Sequence, residues 1–155
     1  MRNIDWVIKF TEYIQRASKT PFRWGKHDCL LCASAAVATV NNIDIAAAFR
    51  GTYSTQEGAY SMMREYLELP VDELVKLSDN QVSERALEKL LLPYAWQPFE
   101  QFLQACRGDL VLATTAHGTY AAGVVALDGR HAIVASAMGV LYLPLDTIVR
   151  GWHIE

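Results

Sequence analysis

The apolar positions in the first two thirds of the chain follow a helical period. Across residues 5–19, apolar side chains recur at intervals of three and four and charged side chains lie mostly between them, which predicts an amphipathic helix. The same period, with caps and prolines, predicts further helical segments over residues 29 to about 41, 44–49, 55–67 after an N-cap at Thr55, 70–77, 84 to about 92 after an N-cap at Ser83, and 99–105.

The period changes to that of strands after Gly108. Short runs rich in β-branched, aromatic and small apolar residues predict strands over residues 109–113, 120–127, 131–136, 140–143 and 151–154. Asp128-Gly129 and Met138-Gly139 are typical of tight hairpin turns, so the sheet should be antiparallel. Helices followed by strands predict an α+β fold, with N-terminal helices packed on a C-terminal antiparallel sheet in a single domain over residues 1–155.

Composition narrows the class of protein. A chain of 155 residues with 52% apolar and 20% charged residues is typical of a globular domain with an ordinary core. No apolar run approaches the length of a membrane span, and Asp5 and Lys9 interrupt the first segment where a signal peptide would be apolar, so we expect synthesis in a cytoplasm. The net charge of −3 and the lack of a Lys or Arg cluster argue against a nucleic-acid partner.

The most informative stretch of the sequence surrounds Cys29. Pro21 and Gly25 disfavour a helix before it, and helix-forming residues follow it, so Asp28 is the predicted N-cap and Cys29 lies in the first turn. Unpaired backbone N–H groups and the helix dipole favour a thiolate at such a position. Cys29 is therefore a candidate nucleophile, although a free cysteine is also a common core residue.

Three motifs resemble a known family. Phe22-Arg23-Trp24-Gly25 with Asp28-Cys29, then Arg107-Gly108-Asp109-Leu110-Val111-Leu112, then Gly123-Val124-Val125 are similar to the NlpC-type cell-wall cysteine peptidases. The resemblance implies a papain-like core, in which a cysteine begins a helix packed on an antiparallel sheet and a strand histidine is its base. It also implies hydrolysis of an amide in the peptidoglycan stem peptide, with Trp24 and Asp28 as candidate substrate-binding residues.

A narrower resemblance covers nearly the whole chain. Residues 49–59, and residues 139–145 together with Trp152, are similar to small NlpC-like proteins of phage tail gene clusters. This implies a virion component at the tail tip or baseplate hub, made in the cytoplasm of the bacterial host. The implied partners are other tail or baseplate proteins and the peptidoglycan stem peptide.

The catalytic base of the family is missing from the matching positions. Where the family has a histidine that opens its strand, this chain has Ala121, and the position of the orienting polar residue falls near Val134. Neither side chain takes up a proton. The expected function is therefore a tail-tip or baseplate component with a degenerate peptidase site.

Two alternatives remain open. In an active peptidoglycan endopeptidase, Cys29 would attack and His117, in the loop before the strand that carries Ala121, would be the base. In a thiol redox protein, Cys29 and Cys32 would form a reversible disulfide.

No cofactor or metal is expected from the sequence. Zinc would need a set such as His27, Cys29, Cys32 and Cys106, and no second closely spaced pair indicates that these residues converge. We expect solvated side chains for His27 and His131, a position against a strand edge for His153, and a structural role for Cys106.

Overall fold

Five α-helices precede most of the sheet in the computed structural model, which describes residues 1–155. They are α1 (Trp6–Ala17), α2 (Cys29–Asn41), α3 (Gln56–Leu67), α4 (Val71–Leu74) and α5 (Asp79–Leu91). Short 3-10 turns cover Ala47–Phe49, Leu92–Tyr94, Phe102–Gln104 and Leu145–Thr147. The helices predicted over residues 5–19, 29–41 and 55–67 are present, and α3 begins after the predicted N-cap Thr55. The helical segments predicted over residues 44–49, 70–77 and 99–105 are reduced to Ala47–Phe49, Val71–Leu74 and Phe102–Gln104, and Phe99 lies in a strand instead.

The sheet has six antiparallel strands. They are β1 (Pro98–Phe99), β2 (Leu110–Thr114), β3 (Tyr120–Val125), β4 (His131–Ser136), β5 (Gly139–Pro144) and β6 (Ile148–Trp152), and they lie side by side in the order β1-β6-β2-β3-β4-β5. The final strand returns between β1 and β2, while β2 to β5 follow one another through short turns. The predicted α+β class, with helices before an antiparallel sheet, is confirmed.

The main core lies between helices α1 and α2 and one face of the sheet. Phe10 of α1 and Val37 of α2 pack there with Leu112, Val124 and Ile133, all of them at most 3% exposed. Helix α2 is apolar on nearly every side, as expected for a helix covered by both α1 and the sheet. This burial holds the start of α2, and with it Cys29, against the sheet.

A second, smaller core lies on the opposite face of the sheet. Phe99, Val111, Val125 and Ile148 meet there, and Val111 and Val125 alternate along their strands with residues of the main core. Gly151 of β6 makes room for this cluster, because a Cβ on it would lie 2.2 Å from the ring of Phe99. Both faces of the sheet are thus covered by apolar side chains.

Most strand boundaries differ from the predicted ones by a few residues, and three differences between predicted and observed elements have a clear local cause or consequence. Helix α5 begins after Ser78, not Ser83, because Ser78 and Gln81 form a capping box in which each side chain bonds the other's backbone N–H. Pro98 begins the short edge strand β1, where no strand was predicted. The last strand ends at Trp152, the residue that pairs with both Pro98 and Leu110.

None of the helices combines the length and the apolar character that crossing a bilayer requires.

Candidate functional site

A tight loop immediately precedes the start of α2. Arg23 and His27 exchange backbone hydrogen bonds of 2.9 and 2.8 Å, which closes a small hairpin around Gly25. Gly25 has φ +80°, and a Cβ there would lie 1.9 Å from the carbonyl oxygen of Tyr53, so only glycine fits. Asp28 caps the helix and Cys29 is its first residue, as predicted from the sequence.

The carboxylate of Asp28 is buried and bonded on both oxygens. Oδ1 accepts a hydrogen bond from the N–H of Leu31 at 3.0 Å, and Oδ2 accepts one from the N–H of Gly25 at 2.9 Å and one from the hydroxyl of Tyr53 at 2.6 Å. Asp28 is 1% exposed, so these donors replace the water that a buried carboxylate loses. The candidate substrate-binding residue Asp28 therefore has its oxygens engaged within the protein and positions the loop.

A mostly apolar cleft opens beside Cys29. It has an empty volume of about 730 Å³, mouth included, and lies between the start of α2, helices α3 and α5, and strands β2 and β3. Its aromatic and methionine side chains are Trp24, Phe49, Tyr53, Tyr60, Met62, Met63, Tyr66 and Tyr120. Trp24, the other candidate substrate-binding residue, is held edge-on against Phe22 with ring centroids 4.9 Å apart. The cleft suits an apolar occupant.

The thiol of Cys29 lies beside a part of β4 that does not pair with β3. Strands β3 and β4 pair only at Val124–Ile133 and Val125–Ala132, so beyond these pairs the carbonyl of Ala135 has no partner in β3. The Sγ of Cys29 is 3.8 Å from that carbonyl oxygen and donates to it. The start of α2 thus contacts β4 at a residue that does not pair with β3.

This environment favours the protonated thiol. Burial raises the pKa of Cys29 to about 12 from an ordinary value of 9.0, and the negative charge of Asp28 and the neighbouring Cys32 act in the same direction. Although Cys29 as a whole residue is partly exposed, its thiol is surrounded by protein and the helix N-terminus does not offset that burial. At neutral pH, Cys29 is a thiol and not a thiolate.

No histidine lines the cleft. His117, the candidate base, is exposed at the tip of the hairpin between β2 and β3. His27, expected to be solvated, is instead 7% exposed, and its Nε2 lies 3.1 Å from the carbonyl oxygen of Gly139. That expectation is wrong because the hairpin around Gly25 tucks His27 under the turn that begins β5. The structure does not bring Cys29 and an imidazole into hydrogen-bond contact.

The two positions that the sequence resemblance assigns to the base and its orienting residue, Ala121 and Val134, hold apolar side chains. Ala121 is 5% exposed and pairs with Ala113, and Val134 is 2% exposed and pairs with Leu141. Neither side chain carries a group that could accept a proton from Cys29. The second cysteine of α2, Cys32, is buried as expected, and the hydroxyl of Tyr13 donates to its carbonyl oxygen at 3.2 Å.

A family model described as a domain of unknown function (DUF6950) matches residues 1–154. The chain belongs to the DUF6950 family. The match covers both the helices and the sheet of this DUF6950 protein, so the Cys29 loop, the cleft and every strand lie inside the family region. No curated protein and no solved structure matches the chain.

Two features of this DUF6950 site were missed from the sequence. Tyr53 bonds Asp28 across a separation of 25 residues, and Asn80 bonds the backbone of Gly118 and Tyr120, which ties α5 to the β2–β3 hairpin. Both contacts link residues far apart in sequence, and no spacing rule points to them. Cys106, expected to have a structural role, is exposed, and the sequence did not indicate its neighbours Asp109 and His153.

Proposed function

We propose that this protein is a component of a phage tail tip or baseplate hub, built on a papain-like NlpC-type domain whose peptidase site is degenerate. In this role it binds neighbouring tail proteins and cleaves no peptide bond. One observation carries the proposal: the Cys29 thiol begins a buried helix at a cleft that no histidine lines.

The placement of Cys29 supports the NlpC-like part of the proposal. A cysteine at the first position of a buried helix, packed on an antiparallel sheet, is the arrangement that the sequence resemblance implies. Asp28 keeps that arrangement through three internal hydrogen bonds, so the scaffold around the thiol is preserved although the base is not. A retained scaffold without its base is typical of a domain that has changed from catalysis to binding.

The chemistry of the thiol supports the loss of activity. A cysteine peptidase needs a thiolate, together with a base that lies within hydrogen-bond reach of the sulfur. Here burial raises the pKa of Cys29 to about 12, and the sulfur donates to a backbone carbonyl oxygen. Ala121 and Val134 occupy the positions at which the resemblance to NlpC-type peptidases implies polar groups. The attack on an amide therefore has no proton acceptor.

The lining of the cleft supports a protein partner over a stem peptide. Stem peptides carry free carboxylates, which would need cationic or N–H donors, yet no Lys or Arg lines the cleft and Asp28 lies in its wall. Aromatic rings with flexible methionines such as Met62 and Met63 suit apolar side chains of a partner segment. We infer that a neighbouring tail protein inserts such a segment here.

The absence of peptidase activity is tested on purified peptidoglycan sacculi. Wild-type protein, Cys29→Ala and Cys106→Ala are incubated with sacculi, and soluble muropeptides are measured by mass spectrometry. We expect no release above the buffer control for any of the three. Release by wild type that persists in Cys106→Ala and disappears in Cys29→Ala would overturn the proposal. Its loss in a further variant, His117→Ala, would identify His117 as the base of an active endopeptidase.

The place in the virion is tested separately. In tails purified from the phage that encodes the chain, we expect the protein in stoichiometric amounts by mass spectrometry and at the distal end by antibody labelling. Absence from purified tails would contradict the structural role, whatever the sacculus experiment shows.

A further inference from the structure

Three side chains with metal-ligating atoms meet at one end of the neighbouring strands β2 and β6, and none of them lines the cleft. Cys106 precedes β2 by a short turn, Asp109 immediately precedes β2, and His153 immediately follows β6. Leu110 of β2 and Trp152 of β6 are direct partners, so the pairing of these two strands brings Asp109 and His153 side by side. One ligand atom from each of the three residues lies within 4.8 Å of the other two.

We propose that Cys106, Asp109 and His153 bind a thiophilic divalent cation of the Zn²⁺ type. One thiolate, one imidazole nitrogen and one carboxylate oxygen are ligands that Zn²⁺ accepts in tetrahedral sites. Since Cys106 is exposed, the fourth position faces solvent and is available to water. The inference is independent of the proposed function, because no residue of the cation site lines the cleft.

The two oxygens of the Asp109 carboxylate have different hydrogen-bond partners, and the partners of Oδ2 leave it able to bind a cation. Oδ1 accepts from Arg2 at 2.9 Å and from the N–H of Ile154 at 3.2 Å, which holds that oxygen in place. Oδ2 accepts from the N–H of Cys106 at 2.8 Å and lies 2.8 Å from Nδ1 of His153. Oδ2 is thus the oxygen that lies beside Nδ1 of His153 and beside the backbone of Cys106.

The rearrangement that a cation requires is small. With metal–ligand bonds of about 2.0 to 2.3 Å, tetrahedral ligand atoms lie roughly 3.3 to 3.6 Å apart. The Nδ1 of His153 and Oδ2 of Asp109 therefore separate by about half an ångström. The exposed Cys106 side chain rotates its sulfur inward, away from its present contact with the carbonyl oxygen of Gln104 at 3.7 Å.

The proton balance of binding is simple. The Cys106 thiol loses its proton to solvent and ligates as the thiolate. Nδ1 of His153 lies 2.8 Å from Oδ2 of Asp109, so Nδ1 holds the proton of that hydrogen bond. To ligate through Nδ1, the neutral imidazole gives this proton to solvent and takes one up at Nε2, so the ring releases none on balance. Asp109 is already a carboxylate, as its ion pair with Arg2 requires.

Arg2, Asp109 and His153 would form a polar cluster without any cation, so the test has to depend on the sulfur. The protein is stripped with a chelator, and Zn²⁺ binding is measured by titration calorimetry for wild type, Cys106→Ser and the matched control Cys29→Ser. We expect one equivalent bound by wild type and by Cys29→Ser, and a loss of affinity of at least about 100-fold in Cys106→Ser, as expected for a direct ligand.

A second readout uses the native chain alone. Alkylation of Cys106 by iodoacetamide, followed by peptide mass spectrometry, should be blocked by one equivalent of Zn²⁺, while alkylation of Cys29 is unchanged. Cd²⁺ should give a thiolate-to-metal absorption band in wild type that Cys106→Ser lacks. Undiminished alkylation of Cys106 in the presence of Zn²⁺, or equal Zn²⁺ affinity of wild type and Cys106→Ser, would overturn the inference.

Discussion

The hydrogen bond from Tyr53 to Asp28 makes a quantitative prediction about what holds the Cys29 loop. Tyr53→Phe removes the hydroxyl that donates to Oδ2 of Asp28 at 2.6 Å and leaves the ring in the cleft wall. A hydrogen bond to a charged group contributes about 1.5 to 3 kcal/mol to the free energy of unfolding. Because the N–H of Gly25 still reaches Oδ2, we expect a loss near the lower end, about 2 kcal/mol.

Urea unfolding followed by circular dichroism measures this loss. With an m-value of about 2 kcal/mol per molar urea, the midpoint should fall by about 1 M while m stays constant. The matched control is Tyr142→Phe, since Tyr142 is 48% exposed on the edge strand β5 and its substitution should change the unfolding free energy by less than about 0.5 kcal/mol. Equal unfolding free energies for the two variants would refute the view that Asp28 needs its third donor.

Two backbone features give further predictions. Gly25→Ala should lower the unfolding free energy by at least about 2 kcal/mol more than Gly51→Ala in the same urea assay, because both glycines have positive φ but only at Gly25 does a Cβ collide, with the carbonyl of Tyr53. Similar losses would show that space at Gly25 does not matter. Ser78→Ala should lower the unfolding free energy by about 1 kcal/mol through the lost cap, whereas Ser83→Ala, inside α5 and beside Tyr60, should lower it by less. A larger effect at Ser83 would place the helix start where the sequence alone had put it.

The fold class was predictable because it depends on local periodicity. The apolar spacing predicted α1 to α3, and Asp28 predicted the start of α2. Two Gly-containing turns predicted that the strands are antiparallel. The start of α5 was missed because Ser78 and Ser83 both resemble caps, and only the reciprocal bonds with Gln81 distinguish them. Because Ser78 and Ser83 are equally good N-cap residues, the local sequence cannot show which of them begins α5.

The site was predictable only in its local part. The position of Cys29 follows from the residues beside it, whereas its pKa depends on burial by segments more than twenty residues away. In the same way, Cys106 and Asp109 are close in sequence, but His153 reaches them only through the pairing of β2 with β6. Contacts of this kind depend on topology, and no spacing along the chain encodes them.

A measurement of the charge state of Cys29 tests most directly the claim that the site binds a partner without cleaving it. Its rate of alkylation by iodoacetamide is measured from pH 6 to 11 in the native protein and in the same chain unfolded in urea. With the pKa of Cys29 raised to about 12, the fraction of Cys29 that is thiolate at pH 8 in the native protein is about a thousandth of the fraction for an ordinary thiol. The alkylation rate of the native protein should therefore still rise tenfold per pH unit at pH 10. In the unfolded chain the rate should reach half of its maximum near pH 9 and level off above about pH 10. A native rate that levels off below pH 7 would reveal an activated thiolate and contradict the account.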